Sequence, residues 1–152
     1  MKNIIEQDGF FARVLNEDGP LTVVPLVDFI HGYDERNGQK VPVTTICIVP
    51  FMEFDKLWFG IGMSHCSIQD QPVKARGRQI SEARARGAIK ANGDLRWKRD
   101  FLTTESTLCG FRTHEADAED GIQTMLDDIE MSERVIKSLD FLRRQCDAES
   151  IT

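Results

Sequence analysis

The residues of this sequence that could do chemistry are concentrated in one arginine-rich block, residues 74–99. This block carries nine lysine and arginine residues against two acidic residues, and six of the nine are arginine. Arginine presents a planar fork of N–H donors that matches a phosphate group bidentately, whereas lysine presents a point charge. We therefore expect Arg78 and Arg84 to contact phosphate, with Arg76 and Arg86 as further ligand contacts.

Acidic segments flank this block. Residues 1–73 carry a net charge of −5, residues 113–152 a net charge of −7, and the whole chain a net charge of −6. The basic block could pair with the acidic C-terminal segment, within the chain or in an oligomer, because paired charged faces are common. It could equally bind an anion, since a basic stretch creates a local positive potential. The acidic flanks would repel an extended polyanion, which favours a compact ligand.

Three aromatic residues are candidates for stacking on a nucleotide base. Trp58 and Phe59 lie on a predicted strand, and Trp97 lies near the end of the basic block. Cations beside aromatic rings hold phosphate and stack a base. The same combination would suit nucleic acid, including double-stranded RNA that is recognised by its shape.

The common motifs of catalysis are absent from the sequence. It has no P-loop, no glycine-rich dinucleotide fingerprint, no HExxH and no GxSxG. The four cysteines are widely spaced, and the adjacent pair His65-Cys66 does not have the spacing of a zinc site. A catalytic Cys–His pair formed by residues that are distant in sequence remains an alternative, but enzymatic activity is the less favoured interpretation. We expect binding without catalysis, with no metal and no cofactor.

Most of the basic block is predicted to lie on one helix, residues 73–91, that ends at Asn92-Gly93. A narrow stripe of mostly small residues predicts that this helix closely approaches a sheet: Ile80, Ala83, Arg84, Gly87 and Ala91. Arg84 in that stripe needs a carboxylate, a carbonyl or an anion as its partner. Gly60 and Gly62 share one face of the preceding strand, which we expect the helix to cover.

The other predicted elements are strands and one long helix. An Asn37-Gly38 hairpin turn precedes a β-branched strand that we expect Pro50 to end. Pro25 indicates an edge position for its strand. The predicted strands are residues 10–15, 21–27, 41–49, 57–66, 95–102 and 107–113, with the turn 16–20 and the link 103–106 between neighbouring strands.

The C-terminal segment, residues 114–147, is predicted to form one amphipathic helix with Thr113 as its N-cap. Its apolar stripe follows a spacing of three and four: Ile122, Met125, Leu126, Ile129, Ile136, Leu139, Leu142 and Cys146. Such a helix is about 50 Å long, longer than one small domain is wide. We therefore expect part of it to pack on another subunit of a homo-oligomer.

Length and composition indicate an ordinary globular chain of 152 residues, 41% of them hydrophobic and 29% charged. No apolar run is long enough to cross a membrane, and the N-terminus does not resemble a signal peptide, so we expect a cytoplasmic protein. The fold class is α+β: an antiparallel sheet packed by the basic helix, plus the long C-terminal helix. We place the sheet-plus-helix core in residues 1–112 and the helix, in the same domain or as an oligomerisation arm, in residues 113–152.

One short pattern resembles a known family. The strand ends in Cys66-x-x-x-Asp70, and the helix carries Gly77-Arg78-x-Ile80-x-x-x-Arg84. This pattern resembles small bacteriophage anti-defence proteins and is most similar to the Thoeris anti-defence family. The resemblance implies an oligomeric sponge that sequesters cyclic ADP-ribose-type and related cyclic nucleotides without cleaving them, and it carries over only Arg78 and Arg84 as phosphate contacts.

These observations favour sequestration of a small, phosphate-bearing cyclic nucleotide signal in phage counter-defence, in the host cytoplasm if the source is viral. A nucleic-acid-binding phage protein is one alternative. An inhibitor that acts on a host protein through the acidic C-terminal helix is the other.

Overall fold

The computed structural model describes residues 3–15, 19, 21–66, 71–98 and 106–151. Within them the chain has an α+β fold, as predicted. In chain order its elements are β1 (Asn3–Asp8), β2 (Phe11–Leu15), β3 (Leu21–Pro25), β4 (Asp28–Arg36), β5 (Gln39–Glu53), β6 (Lys56–His65), α1 (Lys74–Ala91), β7 (Leu95–Lys98), β8 (Ser106–His114), a 3-10 turn (Glu115–Asp117) and α2 (Ala118–Ile151). The predicted turn 16–20 (apart from residue 19), Asp70 and residues 99–105 lie outside the description.

The strands form two antiparallel sheets. The smaller has the order β1-β2-β3, so β3 with its Pro25 is an edge strand, as predicted. The larger has the order β4-β5-β6-β8-β7. The rings of Phe10 and Phe59 meet edge to face at 5.1 Å and link the smaller sheet to the larger one.

Two tight turns set the register of the central hairpins. Asn37 and Gly38 connect β4 to β5 with φ values of 53° and 78°, and Phe54 and Asp55 connect β5 to β6 with φ values of 53° and 60°. Two consecutive positive φ values are typical of turns whose twist matches that of a β-hairpin. The first turn confirms the prediction from Asn37-Gly38.

The prediction that Pro50 ends its strand is wrong, because β5 continues to Glu53. Pro50 is paired with Phe59 of β6, whereas the pairing of β5 with β4 stops at Ile48. Beyond Ile48, β5 is paired only with β6, and its other side is an edge of the sheet. Proline is tolerated at such an edge because its missing N–H removes no hydrogen bond to a neighbouring strand.

Helix α1 packs on the glycine face of β6, as predicted. A Cβ atom on Gly62 would fall on the carbonyl oxygen of Ser81 and the amide nitrogen of Ala85, and a Cβ on Gly60 would lie 2.8 Å from the carbonyl oxygen of Ala85. The absence of side chains at these two positions lets the helix backbone approach the strand directly. The helix ends at Asn92, which has a left-handed conformation, also as predicted.

The predicted inward stripe of α1 needs correction. The fully buried residues are Ser81, Ala85 and Ala88, whereas Ala83 and Ala91 are exposed. The buried face of α1 is thus rotated by about one residue from the predicted stripe. Ser81 and Ala85, rather than Ala83, pack against the glycine face of β6. The general prediction of close packing through small residues is confirmed.

Helix α2 packs on the opposite face of the larger sheet. Its residues Met125 and Ile129 are buried against Phe59, Ile61 and Met63, which alternate along β6 with the glycines under α1. Ile122 and Leu126 pack at the edge of this cluster, so the first part of the predicted stripe is confirmed. The side chains of Ile136, Leu139 and Cys146 lie outside the description, and Leu142 is exposed.

The N-terminal end of α2 also differs from the prediction. Thr113 is not a helix cap but a residue of β8 paired with Phe59. The helix begins at Ala118, after the 3-10 turn, because β8 continues to His114. No helix in the described part of the chain is both long and apolar enough to cross a membrane.

Candidate functional site

A pocket of about 350 Å³ lies where β5 and β6 meet the N-terminal half of α1. Thr45 of β5 and Ser64 of β6 contribute to one wall, Arg76 and Arg84 of α1 to another, and Trp97 of β7 completes the lining. Small-molecule sites are concave and have volumes of about 300–1,000 Å³. This volume therefore suits a compact ligand and not an extended polymer.

Arg84 is held in this pocket by the fold. Its Nη1 donates a hydrogen bond of 2.7 Å to the carbonyl oxygen of Met63, and its guanidinium lies 5.4 Å from the centre of the Trp97 ring. The partner that the sequence requires for Arg84 is therefore a carbonyl, assisted by an aromatic ring. Among the described residues no carboxylate pairs with Arg84, and a guanidinium has five N–H donors. The fixed side chain keeps donors for an anion.

The first turn of α1 adds to the positive character of the pocket. Val73 precedes the helix in an extended conformation without a side-chain cap, and the first turn holds no acidic residue. The N-terminal N–H groups of a helix carry a partial positive charge that favours anions. Val73, Arg76 and Gly77 of this turn line the pocket. Arg76 is exposed and, within the described part of the chain, has no ion-pair partner.

Two histidines fix the strands beside the pocket. The Nδ1 atom of His65 and the Thr44 hydroxyl form a hydrogen bond of 2.8 Å, and Nδ1 of His31 and the Thr45 hydroxyl form one of 3.1 Å. Burial lowers the pKa of His31, and the positive charges of Lys74 and Arg78 lower it further. His31 is therefore favoured in its neutral form.

The structure separates the four predicted arginines. Arg76 and Arg84 line the pocket, whereas Arg78 lies toward β4, where its charge acts on His31. Arg86 is exposed and pairs with Glu82, one helical turn earlier, at 3.2 Å. Neither Arg78 nor Arg86 belongs to the pocket lining.

The predicted aromatic residues are separated as well. Trp97 alone of the three lines the pocket. Trp58 lies near the β5–β6 turn, at the other end of β6, where its ring centre is 3.5 Å from that of His114 and 4.7 Å from the Arg112 guanidinium. Phe59 is only 4% exposed and packs in the core on the α2 side. Phe59 is therefore inaccessible to a ligand, and Trp58 is remote from Arg84.

The three cysteines with described side chains differ in accessibility. Cys66 is partly exposed and lines the pocket, whereas Cys47 and Cys109 are buried. Burial raises the pKa of Cys47 to about 12, with a further increase from Glu82. Burial also raises the pKa of Cys109. Cys66 is thus the most accessible thiol of this set.

Sequence reasoning missed the strand wall of the pocket. Pro42, Val43 and Thr45 lie on a strand that the β-branched run already predicts, but no motif marks them as lining residues. Cys66 and Arg84 of the resemblance pattern also line the pocket, but that pattern does not extend to these three strand residues.

No group of three or more histidine, cysteine, aspartate or glutamate residues in the described segments is arranged to hold a metal ion. Comparison with known proteins yields no match to a family model, a curated protein or a solved structure.

Proposed function

We propose that this protein binds a compact, phosphate-bearing nucleotide in the pocket beside α1 and sequesters it without cleaving it. The observation that carries the proposal is the meeting of Arg76, Arg84 and Trp97 on one pocket at the uncapped end of α1. The two arginines would hold phosphate, and the exposed part of Trp97 would stack on the base. The motif resemblance makes cyclic nucleotide signals the first ligands to test, as expected of a phage counter-defence protein.

The charge arrangement supports ligand binding over neutralisation within the chain. The acidic helix α2 packs on the opposite face of the sheet from α1, so it does not cover the basic helix. In the described part of the chain, neither Arg76 nor Arg84 has a carboxylate partner, whereas Arg86 does. An anionic ligand would supply the missing countercharge in the pocket.

The direct experiment is a thermal-shift screen against cyclic mono-, di- and trinucleotides and cyclic ADP-ribose isomers, followed by calorimetry of any ligand found. A ligand at 100 times its dissociation constant stabilises a protein by about 2.7 kcal/mol. Recovery of the ligand unchanged after binding would support sequestration, and recovery of a linear product would establish an enzyme instead. Absence of binding to every nucleotide would refute the proposal and favour the alternative of a protein partner.

Two matched arginine variants test the site. Arg84→Met keeps the aliphatic stem but removes the charged donors, and a charge-assisted hydrogen bond contributes about 1.5–3 kcal/mol. We expect Arg84→Met to weaken binding by about 10- to 150-fold. Arg86→Met, on the same helix but paired with Glu82 outside the pocket, is the control and should bind normally. Equal effects of the two substitutions would exclude the pocket as the site.

Nucleic-acid binding is a second candidate, favoured by the exposed cations on the outer surface of α1. Lys74, Arg78, Arg86 and Lys90 are all exposed on this helix. A surface that contacts several phosphates loses affinity steeply as salt rises, because the counterions released on binding gain less entropy in a more concentrated salt solution. Titration of a short RNA duplex at two salt concentrations, with Arg78→Met and Arg86→Met as variants, tests this candidate independently of the pocket.

A further inference from the structure

The C-terminal part of α2 extends beyond the body of the protein. The helix runs from Ala118 to Ile151, which corresponds to about 50 Å at 1.5 Å per residue. Among the α2 side chains that the structure describes, those that pack in the core lie no later than Ile129. Residues 130–151 therefore form a helical segment of about 33 Å whose described side chains have no core position.

This segment has an apolar surface without a partner in the described structure. Met131, Phe141 and Leu142 are 56%, 61% and 57% exposed. In the sequence, Ile136, Leu139 and Leu142 continue the three-and-four spacing of the apolar stripe, a pattern typical of a helix that packs against another element. A helix gains most of its stability from packing its apolar face, and an isolated helix is marginally stable in water.

The charge distribution along α2 indicates what could cover this surface. Residues 118–133 contain six acidic residues and no basic one, whereas residues 134–144 contain four basic residues and one acidic residue. A second copy in parallel orientation would place like charges side by side. An antiparallel copy would place the acidic end of each helix against the basic end of the other, which is electrostatically complementary.

We propose that two copies of this chain pair through residues 127–144 of α2 as antiparallel helices. The exposed side chains of Phe141 and Leu142 lie in the contact, and Asp127 of each copy lies opposite Arg144 of the other, while Glu130 pairs with Arg134 of its own helix at 2.8 Å. The pairing is isologous, because both copies use the same surface. This proposal does not depend on the ligand of the pocket.

Analytical ultracentrifugation of the purified chain over a range of concentrations tests the pairing. We expect a dimer for the unmodified protein and a monomer for Phe141→Glu/Leu142→Glu, with unchanged thermal unfolding of the sheet body. Phe54→Glu is the control, because Phe54 is 90% exposed on the β5–β6 turn and is not part of α2, and this variant should remain dimeric. A monomeric unmodified protein, or a double variant that remains dimeric, would overturn the proposal.

A charge exchange tests the orientation. Asp127→Arg/Glu130→Arg changes the net charge of residues 118–133 from −6 to −2, and Arg143→Glu/Arg144→Glu changes that of residues 134–144 from +3 to −1. In an antiparallel pair each variant alone loses most of the attraction between the acidic and basic ends, so we expect its dimer dissociation constant to rise about tenfold or more at low salt. An equimolar mixture of the two variants should form a heterodimer. In a parallel pair the native ends already face like charges, so unchanged self-association of both variants would rule out the antiparallel arrangement.

Discussion

The close packing of α1 against Gly60 and Gly62 of β6 leads to a quantitative prediction for the substitution Gly62→Ala. The new Cβ atom would overlap the Ser81 carbonyl oxygen and the Ala85 amide nitrogen, and it would lie 2.9 Å from the carbonyl carbon of Arg84. These are backbone atoms, so no side-chain rotation relieves the overlap and the helix has to move away from β6. Overpacking of a core costs about 1–3 kcal/mol, and we expect the upper end of that range.

A loss of about 3 kcal/mol lowers the midpoint of thermal unfolding by about 6–12 °C in a chain of this size. Circular dichroism during heating measures the midpoint, and Trp fluorescence reports the displacement of Arg84 from Trp97. Gly93→Ala is the matched control: its Cβ would approach nothing closer than the Ala91 carbonyl oxygen at 4.0 Å, so we expect a change within about 0.5 kcal/mol. A Gly62→Ala midpoint within about 2 °C of the unmodified protein would refute close packing of α1 on β6.

Two further predictions concern titratable groups. The pKa of His31 lies below its ordinary value of 6.5, so the unfolded chain binds a proton that the folded chain excludes, and the free energy of unfolding should decrease as the pH falls below about 6.5. Urea unfolding at neutral and mildly acidic pH should show a smaller decrease for His31→Gln, and an equal decrease would contradict this role. In a Cys146→Ser background, Cys66 should react with a thiol reagent well before Cys47, whose pKa burial raises to about 12, and before Cys109, whose pKa burial also raises. Bound nucleotide should slow the labelling of Cys66, and equal rates for the three thiols would contradict the described burial.

The local elements could be predicted where a residue type has one strong structural preference. Asn37-Gly38 fixes a hairpin turn, Asn92-Gly93 ends α1, and the paired glycines of β6 require a close neighbour. β4 lacks this kind of signal, because most of its side chains are exposed and the usual alternation is weak. Pro50 misled the prediction because a proline is disruptive only where a neighbouring strand needs its N–H.

The candidate site could be predicted only in part. Arg84 was identifiable because a charged side chain in a stripe of small residues needs a partner. The sequence does not show which of the other arginine and aromatic residues line the pocket, because this depends on the rotation of α1 and on the register of the strands. A shift of one residue along a strand reverses the face of a side chain, which is why Phe59 is buried under α2 and its neighbour Trp58 is not.

The packing of α1 and α2 on opposite faces also gives the molecule a large electric dipole. Helix α1 carries six basic residues and one acidic residue, and residues 118–133 of α2 carry six acidic residues and no basic one. The sheet holds these two charge sets apart, so a net charge of −6 does not describe the field that an approaching anion experiences. An anion is repelled on the α2 side and attracted on the α1 side, so that it is steered toward the pocket before contact, at a rate that decreases as salt screens the field.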